Sequence, residues 1–128
     1  SAVVLAPSLI GRSHPRPGPV AEAMRYLRML KLLEGRYFAE HGRYAPDPDA
    51  MARYTEGSTD LRAALPDFRP GPPGSLSFDY LVTSYDKGTK FTADARGRVG
   101  TATAGKRISI DQDSRYPEEA AAADPLAP

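Results

Sequence analysis

The sequence predicts an α+β domain: a long N-terminal α-helix packed on a small antiparallel β-meander of three to four strands. Three observations carry this. From Val20 to Phe38 the apolar residues recur at helical spacing, and the pattern stops at Gly42 and Pro46. From Leu76 the period changes to two. Turn chemistry at Asp86-Lys87-Gly88 and at Arg96-Gly97 through Gly100 then separates the alternating runs.

The helix comes first. At about 100° per residue, Val20, Ala23, Met24, Tyr26, Leu27, Leu30, Leu33, Tyr37 and Phe38 share one broad half of the wheel. Gly42 stands where a left-handed C-cap is needed, and Pro46 bars continuation. His41, in the last turn, suits the negative end of the helix dipole. Residues 42–75 are loop-rich, with Asp60 expected to cap a short helix through Leu65 that Pro66 stops. The run RPGPPG at 69–74 is a break.

The strands follow. Leu76, Phe78, Tyr80 and Val82 alternate with Ser77, Asp79, Leu81 and Thr83; Phe91, Ala93 and Ala95 alternate with Thr92 and Asp94; Ile108 and Ile110 follow within RISID. A fourth strand is expected only if residues 97–103 pair. The expected core sets Leu76, Phe78, Tyr80, Phe91, Ala93, Ile108 and Ile110 against Leu27, Leu30, Tyr37 and Phe38 of the helix.

Three regions result: an apolar arm and Pro-rich linker over 1–19, a globular domain over 20–114, and a low-complexity tail over 115–128. At 128 residues the chain supports one modest core. Seventeen basic residues against sixteen acidic ones provide no basic stripe of the kind nucleic acid requires. The absence of cysteine excludes disulfides, thiol catalysis and cysteine-based zinc sites. The apolar opening run, residues 2–10, is broken by Pro7 and far short of the roughly 20 residues of a membrane span.

No catalytic constellation stands out, so no enzyme, cofactor or metal is expected. Ser58, Thr59 and Asp60 lack a nucleophile elbow. The GPPG run cannot cradle phosphate, because proline has no amide hydrogen to offer. Asp111-Gln112-Asp113-Ser114 opens like a calcium loop, without the later glycine and glutamate; a strand end turning at the surface is the better reading. Asp79 and Asp94 alternate outward and are read as solvated or paired with Lys87 and Lys90. The two histidines, His14 and His41, lack the helical spacing of a metal pair.

The run LEGRYFAEHGRYAPD at 33–47 resembles the helix end of type IV pilins and pseudopilins, through Tyr37, Phe38, Glu40, His41, Gly42, Arg43 and Tyr44. Downstream, Phe78-Asp79-Tyr80, residues 91–95 and residues 108–113 resemble the sheet of that family in the same order. The likeness covers about residues 20–114. It implies a helix wrapped by an antiparallel sheet and assembly as a homo-oligomer in an extracellular, cell-surface filament, reached through the inner membrane and periplasm. Those pilins begin with a hydrophobic helix that this chain lacks. The resemblance therefore implies either a removed segment or a separate short hydrophobic pilin helix subunit. A type II secretion pseudopilin and a soluble periplasmic or extracellular binding module are the alternatives.

Expected contact residues fall in two groups. Arg25, Arg28, Met29, Leu32 and Arg36 project from the charged half of the helix, where two apolar residues among arginines suit an interface. Val3, Val4, Leu5, Leu9 and Ile10 form the apolar arm, read as docking on a partner.

Overall fold

The computed structural model describes residues 18–119. Helix α1 (Pro19–His41) leads into β1 (Met51–Tyr54), the short α2 (Leu61–Ala64) and a 3₁₀ turn (Pro73–Ser75). Strands β2 (Phe78–Tyr85), β3 (Lys90–Gly97), β4 (Arg107–Asp111) and β5 (Glu118–Glu119) complete the element order. The fold is α+β, one long helix on one antiparallel sheet ordered β1-β2-β3-β4-β5. All neighbours in the sheet are also neighbours in sequence, which keeps the connections short.

The helix begins and ends for local reasons. Proline occupies its first turn, where the missing amide hydrogen costs nothing. At the other end Gly42 adopts φ 76° and donates its amide to Phe38 O. His41 sets Nδ1 against Tyr37 O at 3.2 Å and stacks on the Tyr37 ring. These match the expected ending.

The buried face of α1 carries Ala23, Leu27, Leu30 and Leu33. The sheet meets it with Phe78, Tyr80, Val82, Phe91, Ala93, Ala95, Ile108 and Ile110, the inward positions of β2, β3 and β4. Burial alternates along β2 and β4 as expected; in β3 it is interrupted at Asp94, which is buried between Ala93 and Ala95. At the N-terminal half of α1, Tyr26, Tyr54, Phe68 and Tyr80 form an edge-to-face aromatic cluster with centroids 5.6–6.1 Å apart.

The sheet has five strands rather than three or four. Of residues 97–103, expected as a possible extra strand, Gly97 ends β3 and the rest lead through turns towards β4. The run is pinned at Gly97, where any Cβ would collide with the carbonyl of Thr103. The additional strands lie at the two edges. Strand β1 pairs Ala52 with Val82 and Tyr54 with Tyr80, and buries those two residues. It escapes a sequence reading because four residues show only two turns of alternation. Strand β5 is two residues long and pairs Glu119 with Ile108, inside the stretch read as tail.

Two expected core residues lie further out. Phe38 is 37% exposed and Tyr37 is half-buried. Phe38 rests on Tyr44, which in turn meets Phe91. A bridging tyrosine thus stands between the last turn of the helix and the sheet. The core gains Leu61, Leu65 and Phe68 from the loop-rich region instead, all buried. Asp60 does precede α2, but its carboxylate accepts from the Arg53 amide rather than capping the helix.

Candidate functional site

The outward face of α1 holds the described part of the predicted interface. Leu32 is 59% exposed and Met29 38%, with Arg25, Arg28 and Arg36 exposed around them. Three residues apart, Met29 and Leu32 stand about 60° from one another on the helix. They therefore look onto different flanks. The residues Val3, Val4, Leu5, Leu9 and Ile10, with His14, lie outside the described residues.

On the flank next to β4 is an open groove of about 600 Å³. Leu32, Gly35, Ala39 and Ile110 give it an apolar floor; Arg28, Lys31, Arg36 and Arg115 rim it, with no carboxylate among the lining residues. Gly35 widens the groove, since nothing lies within 4 Å of where its Cβ would stand. Sequence reasoning found Leu32, Arg28 and Arg36, but not Gly35, Ala39, Ile110 and Arg115. A helical spacing of small residues at 35 and 39 was the available signal.

Lys31 is held differently from the arginines. Its ammonium donates to the carbonyls of Asp111 and Gln112 at 3.1 and 3.3 Å, and to that of Ser114. It thereby ties α1 to the turn after β4. Asp111 folds that turn from the other side, accepting from the Ser114 hydroxyl and from the amides of Asp113 and Ser114. The Ser114 hydrogen bond, then the two amides, hold its carboxyl below the usual carboxylate range against a modest burial cost. The calcium-like motif is used internally as an Asx turn. Among the described residues, no group of three or more His, Cys, Asp or Glu is placed to hold a metal.

The opposite flank of α1 is acidic. Glu40 and Asp67 line a depression there beside Leu33 and Tyr37. Asp47 and Asp60 line the next one, with Met51, Ala63 and Ala64. Arg36 touches both this flank and the groove and stands on the crest between them.

One carboxylate was missed altogether. Glu34 is fully buried on the inner side of α1. Its Oε1 accepts from the Ala45 amide at 2.7 Å, and Oε2 has no partner. Burial pushes its carboxyl up from 4.5 to about 8, offset only in part by that hydrogen bond. Tyr44 nearby is also pushed up, first by burial and then by Glu34. Glu34 joins the helix to the Arg43–Pro46 turn and lies away from the exposed face, so it acts as a structural tie.

The outward aspartates pair otherwise than expected. Asp94 meets Arg107 at 3.4 Å, Arg96 at 3.5 Å and the Ser109 hydroxyl. Asp79 lies 3.7 Å from Arg98, and Lys90 pairs with Asp86. Of the partners of Asp94, Arg96 lies two residues along the same strand and Arg107 is brought in by β3–β4 register, while Arg98 reaches Asp79 from just after β3. Arg98 also donates to the carbonyls of Pro73, Gly74 and Leu76 and pairs with Glu56, which holds the 3₁₀ turn against the sheet.

Comparison with protein-family models, curated proteins and solved structures finds no match. Among the described residues no helix is long and apolar enough to cross a membrane. The outer side of α1 is an apolar-floored basic groove beside an acidic flank.

Proposed function

We propose that the chain is the surface-exposed globular part of an extracellular type IV pilin-like filament, a structural subunit rather than an enzyme. In this reading a hydrophobic helix, from another chain or removed from this one, forms the filament's interior. The observation that carries it is the outer face of α1: Leu32 stands largely exposed over an apolar groove, on a helix whose other side is fully committed to the core. The outer side of that helix carries Met29 and Leu32, which the sheet does not cover. The resemblance at residues 33–47 and the helix-on-meander architecture support the same reading. Many copies repeating weak contacts along an array give an avidity that one contact lacks. A secretion pseudopilus fits the same architecture.

A soluble binding module is the reading from another class. The groove favours it by volume, since ligand sites run about 300–1,000 Å³. Its open shape and lack of convergent polar groups favour a macromolecular partner.

The test is the double substitution Met29→Asp with Leu32→Asp in cells that express the full chain. The expected result is short or absent surface filaments by electron microscopy, with an unchanged melting temperature for the isolated domain. Normal filaments from the double variant count against this face as the assembly surface.

A further inference from the structure

The two flanks of α1 are complementary to each other. The groove brings Arg28, Lys31 and Arg115 around Leu32, Gly35 and Ile110, with no acidic lining residue. Among the described residues, neither Arg28 nor Arg115 has an ion-pair partner within 4 Å. The other flank presents, likewise without ion pairs, Glu40 and Asp67 in one depression and Asp60 in the next, beside Met51, which is 39% exposed; Tyr37 and Ala64 line both. Asp47 adds a fourth carboxylate there, already beside Arg43 at 3.3 Å.

These surfaces lie towards opposite edges of the sheet. Ile110 belongs to β4 and Met51 to β1, which are separated by β2 and β3. One copy cannot bring its own two flanks together. A groove facing a second copy's groove would set arginines against arginines, so a two-fold contact is disfavoured.

We infer that the basic groove on the β4 side of α1 receives the acidic, Met51-bearing flank of a second copy of this chain, head to tail. Resting on the filament reading above, this names the partner surface of the same face. The contact joins different patches on the two copies, so both ends of any chain of copies stay open. Repetition with a non-closing rotation generates a helical array rather than a closed dimer. Charge aligns the copies, and the apolar floor excludes water once they meet.

The natural chain contains no cysteine, so cross-linking starts from a clean background. Leu32→Cys and Met51→Cys are prepared as separate full-chain variants, then oxidised alone and mixed. The mixture should give a disulfide-linked heterodimer in about tenfold excess over either homodimer. A second arm uses charge reversal, read by sedimentation. Arg28→Glu with Arg115→Glu, and Glu40→Arg with Asp67→Arg, should each weaken self-association about tenfold or more. An equimolar mixture of the two reversed proteins should restore it, because each then offers the surface that the other needs. Circular dichroism melts establish that each variant is folded.

Four results overturn the inference. These are a Leu32→Cys homodimer as abundant as the heterodimer, association indifferent to both reversals, an original chain that stays monomeric with the cysteine mixture unlinked, and a groove occupied only by anionic phosphatidylglycerol vesicles. Surface filaments that survive both reversals overturn this contact and leave the filament reading standing. Linked heterodimers from a chain that forms no filament in cells do the reverse.

Discussion

The inner and outer sides of α1 are different surfaces: the inner one is apolar almost throughout, and the outer one sets two apolar residues among arginines. Inside, Ala23, Leu27, Leu30 and Leu33 meet a sheet that fills every gap, and even a carboxylate, Glu34, is shut away from water. Outside, Met29 and Leu32 stand among arginines with no counterpart in the described chain. The difference is supply: the sheet has one face, so it can satisfy one side of the helix. Substitutions inside should register as folding energy, and those outside as assembly.

The largest effect should come from Leu30→Ala. A fully buried leucine between helix and sheet loses both transfer energy and packing, at about 2–5 kcal/mol. Urea denaturation of the isolated domain measures it. A cost below about 1 kcal/mol would blur the contrast between the two sides.

Next is the pH response of Glu34. In the unfolded chain its carboxyl ionises near 4.5; in the folded chain it keeps its proton to about 8. Between those values the folded state holds one more proton. Stability is therefore greatest below 4.5, falls as pH rises through the window, and levels off above about 8. The slope approaches ~1.4 kcal/mol per pH unit, the limit for a single proton. Glu34→Gln keeps an acceptor for the Ala45 amide and removes the titration. It should flatten the melting profile between pH 5 and 8 and raise stability at the alkaline end. An unchanged profile would assign the buried carboxyl no part in the fold's pH dependence.

Arg98→Ala should cost about 1–3 kcal/mol, because three carbonyls of the 73–76 segment and two carboxylates lose a shared charged donor. Hydrogen exchange should locate the loss at that turn and spare α1. The smallest folding effect belongs to the outer face. Met29→Asp with Leu32→Asp should shift the isolated domain by no more than about 0.5 kcal/mol.

The elements that could be read from sequence were those with several periods of pattern. Nineteen residues of helical spacing and a glycine cap located α1. Three alternating runs located β2, β3 and β4. What escaped was whatever depends on partners distant in sequence. Met51–Tyr54 becomes a strand because β2 offers Val82 and Tyr80 to pair with. Phe68 becomes core because Tyr26, Tyr54 and Tyr80 converge on it from three elements. Glu34 does not stand out in the sequence, since nothing local distinguishes a carboxylate that a returning amide will meet eleven residues later. The candidate face was partly visible for the same reason. Exposed Met29 and Leu32 break the polar side of a helix, a local sign, whereas the groove needed Ile110 and Arg115 to arrive from the far end of the chain.

The short borders of the sheet bear on how such molecules crowd. One border is four residues long and carries Arg53; the other, among the described residues, is Glu118 and Glu119. Neither presents a long, flat, apolar ladder to a neighbour's backbone. Copies held side by side at very high local density would thus find it hard to zip into continuous β-structure. If copies assemble as proposed, crowding would leave the rod's outer ridge as the adhesive feature, and the material would stay ordered without becoming amyloid.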